Sequence, residues 1–403
     1  MSDFKLKLEQ FKKGSIIFVE GSKNIENFYI IKSGKVRITR NVEIIDDPSK
    51  SLLKEGDYFG VVSCIGKRPR LETIVALTDV VLISVKYDQF EELIRRNNTV
   101  ALKILKLYSQ RLREFDDAIA RLSLKKPIPN SPESIFNIGL YYYNNNSYKE
   151  ARYAFTKFTK YCPSSPLVLK AQQYLTEINN ILKDVKEYVQ ETPIIRKYFD
   201  RSILFCEYEP GDEVFVIQDG KVKITRVIGN NEVLLAVLNP GDILGEMALI
   251  ENKPRSATAI AFGDTTTLVI NRQNFMVMVQ NNPQIVVKIL YLLSERIWTA
   301  YKQLENIMIS DPYGRLLDIL FINIEKKRVE VLPRKPFQFD FGPEELFSMA
   351  GLDKNKDYQI LKRLLEEPYI KIEDGKIVFT DIDVLAKTVE GYRKKISKEI
   401  QSK

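Results

Sequence analysis

The chain repeats itself. Residues 34–40, Gly-Lys-Val-Arg-Ile-Thr-Arg, return at 220–226 as Gly-Lys-Val-Lys-Ile-Thr-Arg. Residues 16–20, Ile-Ile-Phe-Val-Glu, match 203–207, Ile-Leu-Phe-Cys-Glu. Gly56-Asp57 matches Gly241-Asp242 and Lys103-Ile104-Leu105 matches Lys288-Ile289-Leu290, so beyond Gly56 the copies run in step 185 positions apart. Any fold for the chain must accommodate one domain twice. Within each copy, short runs of alternating polarity end at Gly or Asp, as at 28–31, 36–39, 73–76 and 80–84 of the first. Such runs predict a small antiparallel β-roll or jelly-roll barrel. Each copy then closes with a long helix. In the second, Ile289, Leu293, Ile297, Ala300, Leu304 and Ile307 recur at steps of three or four. That stripe suits packing on its own barrel or pairing with another such helix.

Composition narrows the function classes. No apolar run reaches membrane-spanning length, and Met1-Ser2-Asp3-Phe4-Lys5 lacks the apolar core of a signal peptide. Cys64, Cys162 and Cys206 are odd in number and widely spaced, which points to a reducing cytoplasm. There are 0 histidines, which removes the commonest general base and argues against a metal site. With no nucleophile elbow, Walker loop or carboxylate pair, a binding protein without a cofactor is expected, not an enzyme.

The chemistry concentrates at 241–261, Gly-Asp-Ile-Leu-Gly-Glu-Met-Ala-Leu-Ile-Glu-Asn-Lys-Pro-Arg-Ser-Ala-Thr-Ala-Ile-Ala. Glu246 and Arg255 bracket a turn of small residues. Bare backbone N–H groups plus one guanidinium can receive a phosphate, and a carboxylate can accept from a sugar hydroxyl. The run Gly-Glu-x-Ala-Leu-Ile-x-x-x-Pro-Arg-Ser-Ala-Thr resembles the phosphate-binding cassette of cyclic nucleotide-binding domains. The resemblance implies a ligand site at Gly245, Glu246, Met247, Ala248, Arg255, Ser256 and Ala257. It also implies a base covered by the long helix near Ala300 and Tyr301. The ligand would be cyclic AMP or another cyclic nucleotide, with no metal.

The first copy departs from this pattern. Its cassette puts Val61 where the second has Glu246, and Leu71 and Glu72 where the second has Ser256 and Ala257, while Arg70 keeps the place of Arg255. Valine offers nothing to a ribose, and Glu72 repels a phosphate. The first copy is expected to be structural. A changed ligand using Arg68 and Arg70 is the alternative.

Between the copies, the Pro-rich run at 125–132 is a linker. Two helices joined by Asn144-Asn145-Asn146-Ser147 and a third at about 166–183 follow. Ile138, Gly139, Tyr142, Ala151, Phe155 and Pro163 resemble the spacing of one tetratricopeptide repeat. Residues 95–190 hold 16 Lys and Arg against 8 Asp and Glu. The segment reads as a spacer or as a protein-docking surface at 133–183.

After the second long helix, Asp311-Pro312-Tyr313-Gly314-Arg315 resembles the junction to the winged-helix domain of the cyclic-AMP receptor protein family. A first helix at 345–351, a second at 354–366 capped by Asp353, and a hairpin after Asp374-Gly375 fit that domain. The resemblance puts Lys354, Asn355, Lys356 and Gln359 at base edges, with Lys362 and Arg363 near phosphate. Phe347 and Asp357 depart from the family, which usually has a small and an apolar residue there. Residues 311–403 are close to neutral, 18 cationic against 17 acidic, which weakens phosphate attraction.

The expected architecture is α+β and multidomain: a degenerate barrel at 1–123, a helical linker at 124–190, a binding barrel at 191–310 and a winged helix-turn-helix at 311–403. The expected function is a cyclic nucleotide-responsive transcription regulator. The alternative is a nucleotide-sensing adaptor that signals through protein contacts. A homodimer and an internal pairing of the two long helices are both open.

Overall fold

The computed structural model describes residues 6–42, 51–124, 131, 133–182, 188–350, 352 and 357–401. The first copy contains β1 (Lys7–Phe11), β2 (Ile16–Phe18), β3 (Asn27–Ser33), β4 (Val36–Thr39), β5 (Leu52–Leu53), β6 (Tyr58–Phe59), α1 (Val61–Gly66), β7 (Thr73–Ala76) and β8 (Val80–Lys86). Helices α2 (Tyr87–Arg96) and α3 (Asn98–Leu124) follow. The insert is α4 (Ser134–Asn144), α5 (Tyr148–Tyr161) and α6 (Val168–Ile181). The second copy runs through β9 (Tyr188–Thr192), β10 (Ile195–Tyr198), β11 (Ile203–Phe205), β12 (Glu213–Ile228), β13 (Asn231–Leu238), β14 (Ile243–Leu244), α7 (Glu246–Glu251) and β15 (Thr258–Asn271). It ends in α8 (Arg272–Asn281) and α9 (Pro283–Ile307). The C-terminal segment holds α10 (Pro312–Lys326), β16 (Phe337–Gln338), α11 (Pro343–Met349), α12 (Tyr358–Leu365), β17 (Ile370–Glu373), β18 (Lys376–Phe379) and α13 (Ile382–Gln401). Among the described residues no helix is long and apolar enough to cross a membrane.

All strand pairs among the described residues are antiparallel. The first copy forms two four-stranded sheets, β1-β8-β3-β6 and β2-β7-β4-β5. In the second, β12 and β15 run unbroken through one seven-stranded sheet, bending at register shifts around Asp219 and Lys221. The glycine that opens the repeated heptapeptide makes both bends. Gly34 and Gly220 have φ of 93° and 78°, and a Cβ there would lie 2.4 Å from Asp79 O or 2.3 Å from Asp264 O. Only glycine fits such a place.

The chain divides into two units that do not follow sequence order. One holds 64–66 and 85–294, the other 7–63, 67–84 and 295–403. In the former, α3 of the first copy packs on α7, β13 and β12 of the second. In the latter, α9 beyond Ser294 joins the sheets of the first copy: Tyr301 Oη donates to Glu20 Oε1 at 2.5 Å. Thus each β-barrel is grouped with helix from the opposite copy.

The insert finds its neighbour in the second barrel. Short helical repeats need one, because three helices alone bury too little. Ile135, Ile138, Phe155 and Phe158 form one core with Ile203, Cys206, Val227 and Ile260. Polar contacts rim it: Tyr142 Oη donates to Glu232 at 2.7 Å, Arg201 Nε to Glu150 at 2.8 Å, and Lys157 Nζ to Glu209 at 2.9 Å.

In the C-terminal segment, α10 to α13 close over β16-β18-β17 around Leu316, Leu320, Phe347, Leu364 and Leu385. Phe347 is a core residue here. The β17–β18 hairpin turns on Asp374 (φ 48°) and Gly375 (φ 74°), the two positive angles that a tight two-residue turn requires.

Two glycine substitutions should act in opposite directions. A Cβ on Gly139 would lie 2.8 Å from the Phe155 ring, so Gly139→Val should destabilise by roughly 1–3 kcal/mol. Gly391 is helical with nothing within 4 Å of its Cβ position, so Gly391→Ala should stabilise by about 0.5–1 kcal/mol. Urea unfolding midpoints of the two variants against the parent chain check both signs.

Candidate functional site

The second barrel's cassette is a turn, a short helix and a turn. Gly245 caps α7 at φ 84° and Asn252 ends it at φ 52°. A Cβ on Gly245 would meet Arg255 Nη1 at 2.4 Å, so the glycine is what lets the guanidinium reach backbone. Arg255 is 5% exposed. Its Nη1 donates to Gly245 O at 2.7 Å and its Nη2 to Glu213 O at 2.8 Å. The guanidinium lies 4.2 Å above the Phe205 ring. Its Nε has no hydrogen-bond partner among the described residues. Burial pulls the arginine's pKa down from its ordinary value, and the carboxylates of Glu209 and Glu246 hold it up. The cation thus has carbonyl dipoles, a ring and nearby negative charge, with one donor still to satisfy.

The other cassette residues are gathered around it. Glu246 opens α7 and is fully buried; Met247, Ala248 and Ala257 are buried as well. Ser256 is half-buried, with Oγ 4.0 Å from Met247 Sδ. Gly211 lies so close that a Cβ there would sit 2.5 Å from that of Ala248. Backbone bonds clasp the loop before β12 to the cassette: Arg255 N donates to Glu209 O at 2.8 Å and Tyr208 N to Arg255 O at 3.0 Å.

Tyr301 needs correction. It was expected over this cassette but is grouped with the first barrel, where its buried hydroxyl is committed to Glu20. A helix that meets the second cassette is α3 of the first copy. Arg113 donates to Glu251 at 3.4 Å and to Pro254 O at 3.3 Å. Asp117 pairs with Arg226, which also pairs with Glu207. Helical periodicity shows that a stripe is apolar but not which barrel it covers, so sequence reasoning missed Arg113, Asp117 and Arg226. Phe205, Gly211 and Glu213 were missed too, although Phe205 is itself the phenylalanine shared by 16–20 and 203–207.

The first barrel repeats the frame with different chemistry. Gly60 (φ 73°) and Lys67 (φ 49°) bracket α1 as Gly245 and Asn252 bracket α7. Arg70 lies 4.2 Å over Phe18. All three of its nitrogens donate to carbonyls: Nε to Asn24 O at 2.8 Å, Nη1 to Gly60 O at 3.1 Å and Nη2 to Asn27 O at 2.7 Å. Glu72 is buried with Leu71, pairs with Arg40 at 2.9 Å and takes a long 3.5 Å bond from Gly60 N–H. The chain's own carboxylate therefore stands at this cassette. Arg68 is directed elsewhere, to Glu295. Both arginines are thus engaged by groups of the chain itself.

At the C-terminal segment, Lys354, Asn355 and Lys356, with the proposed cap Asp353, lie outside the described residues. The described helix runs Tyr358–Leu365, with Asp357 at its N-cap position. Gln359 and Lys362 are exposed on it, and Lys362 lies 4.0 Å from Glu366. Arg363 is exposed as well, with its guanidinium 4.2 Å over the Tyr313 ring.

Glu20 offers a pH test of the Tyr301 contact. Burial pushes its carboxyl up from 4.5 to about 6, while the hydrogen bonds from Tyr301 and Asn41 N–H pull it down. A raised carboxyl pKa favours the neutral form in the fold. The associated stability is complete below pH 4.5 and is lost as pH rises through about 6. The melting temperature of the parent chain, relative to Glu20→Gln, should fall across that window; a constant difference would contradict it.

The family model described as "Cyclic nucleotide-binding domain" matches residues 8–97 and 195–282. The chain is 26% identical over 215 residues to the cyclic AMP receptor protein of Thermus thermophilus, covering 50% of this chain and 94% of that one. It is 24% identical over 185 residues to a CRP-like cAMP-activated global transcriptional regulator of Mycobacterium tuberculosis, covering 46% of this chain and 83% of that one. A solved CRP/FNR-family transcriptional regulator, also from Thermus thermophilus, overlays with a TM-score of 0.38 at 19% identity, covering 49% of this chain and 99% of that one. Two segments that match the cyclic nucleotide-binding domain thus stand in a single chain that is similar, over about half its length, to transcription regulators of the cyclic-AMP receptor type.

Proposed function

We propose that the chain is a cyclic nucleotide-responsive transcription regulator in which the second barrel senses the ligand and the C-terminal segment, a winged helix-turn-helix, reads DNA. The observation that carries this reading is the contrast between the two cassette arginines. Arg255 is buried with Nε unsatisfied among the described residues, beside a buried Glu246. Arg70 has every nitrogen on a carbonyl and a carboxylate close by at Gly60. A cyclic phosphate beside Arg255 would give that cation the negative charge which carbonyls supply only as dipoles. Glu246 would accept from the ribose hydroxyl. The base would meet α3, the helix that Arg113 and Asp117 tie to this barrel.

Coupling requires that the nucleotide prefer one arrangement of the helices over another. The chain acts as a binding protein and not as a catalyst. A second reading, an adaptor without a DNA target, is favoured by the near-neutral C-terminal segment, 18 cationic against 17 acidic residues. The exposed side of α4 to α6 would then hold the partner.

Calorimetry with cyclic AMP, cyclic GMP and cyclic dinucleotides tests the sensor. One of them should bind, and Arg255→Ala should weaken it by about 2–4 kcal/mol while Arg70→Ala leaves it unchanged. Equal losses at both arginines, or no binding of any nucleotide, would overturn the assignment. Gel-shift titration of genomic fragments separates the two readings. A regulator gives a nucleotide-dependent shift that weakens steeply with salt; an adaptor gives none even at low salt.

A further inference from the structure

The first barrel lacks the chemistry of a sensor, yet its cassette loop carries a buried arginine that reaches two other elements. Arg68 follows the αL residue Lys67 at the end of α1, and its N–H donates to Ser63 O at 3.1 Å. Its side chain forks onto Glu295 of α9, Nε to Oε1 at 3.0 Å and Nη2 to Oε2 at 2.5 Å. It also donates to the last carbonyls of α10, Nη1 to Glu325 O at 2.6 Å and Nη2 to Lys326 O at 2.9 Å. The guanidinium lies 4.2 Å over the ring of Trp298, one turn along α9.

The geometry uses what only arginine has: a planar fork for a carboxylate, further donors for carbonyls and a face for an indole. The end of α10 also welcomes a cation, since the carbonyls of a helix's last turn carry partial negative charge. That end is well formed: Arg328 is in αL at φ 55°, and Val329 N donates back to Ile324 O at 3.3 Å. Arg328 Nη2 adds a 2.9 Å bond to Glu295, so the carboxylate lies between two guanidinium groups. The matching position in the second copy is Lys253, which is exposed and, among the described residues, pairs with Glu251 at 2.8 Å. The same loop therefore does something in the first copy that it does not do in the second.

We infer that the first barrel is a latch: through Arg68 it joins α9 to the carboxyl end of α10, and so couples the position of α9 to the C-terminal helical domain. The helix α9 begins directly after the second barrel's strands and α8 and is continuous from Pro283 to Ile307. A shift of α9 moves Glu295, and Arg68 passes that shift to α10. The signalling half of this inference rests on the function proposed above; the latch itself does not.

Hydrogen–deuterium exchange on the full chain without nucleotide tests the latch. Arg68→Ala should speed exchange at least tenfold at the amides of Lys327, Arg328 and Val329 and along α9 near Glu295, leaving β3 and β8 protected. Arg68→Lys should fall between, since an ammonium keeps the charge but not the fork. If Arg68→Ala also exposes β3 and β8, Glu295→Gln decides: it should speed exchange severalfold at the end of α10 with the barrel intact. Exchange there within twofold of the parent in both Arg68→Ala and Glu295→Gln would overturn the latch. With nucleotide bound, the parent should show altered exchange at the end of α10, and Arg68→Ala should lose that response while keeping its nucleotide affinity. Unaltered exchange in a parent that binds nucleotide overturns the coupling. A parent that binds none overturns the sensor, and the ligand-free comparison still decides the latch.

Discussion

A guanidinium lying on main-chain carbonyls is the interaction on which both barrels turn. In each copy an arginine nine places after the first residue of the cassette helix folds back over a phenylalanine and donates to the glycine that caps the helix. The glycine must lack a Cβ for the arginine to arrive, and the arginine holds the glycine's carbonyl in place. Helix, turn and following strand are fixed together by this one contact. Once it is in place, few changes decide chemistry. In the second copy glutamate stands at 246 with small residues at 256 and 257, and Arg255 Nε has no hydrogen-bond partner among the described residues; in the first, with valine at 61, glutamate at 72 places a carboxylate at the cassette from within.

Exchange of the long helices gives the two copies different surroundings. The second cassette meets α3 through Arg113, with Asp117, Arg226 and Glu207 linked in a partly buried ion network. The first meets α9, through Glu20 with Tyr301 and Arg68 with Glu295. Buried charges of this kind contribute little net stability but penalise wrong pairings heavily, because breaking one leaves a partner uncompensated. They therefore fit helices that have two similar barrels to choose from. The insert adds a further asymmetry, since its apolar face is taken up by Ile203, Cys206, Val227 and Ile260 of one barrel.

Much of this was legible in the sequence. The doubled heptapeptide announced the repeat, and its opening glycine stands at the bend in both copies. The cassette residues from Gly245 to Ala257 lie together, as their spacing and the resemblance implied. Tyr301 was not legible in the same way. The apolar stripe on α9 does not say which barrel it covers, and side-chain partners such as Glu20 decide it. Arg68 was noticed as a cation near a cassette; its acceptors lie more than two hundred positions away, and no local pattern announces them. At the C-terminal segment the second helix was expected from residue 354, and its described part begins at Tyr358.

The division of the chain into units that ignore sequence order bears on how the protein is made. Strands β1 to β8 belong with residues 295–403, which leave the ribosome long after them. The nascent first barrel must wait for its covering helix while the entire second barrel is synthesised, exposed in the meantime to aggregation and to mispairing with the helix nearest in sequence. A truncation between the copies would not release two half-proteins; it would strand each barrel without the helix that completes it.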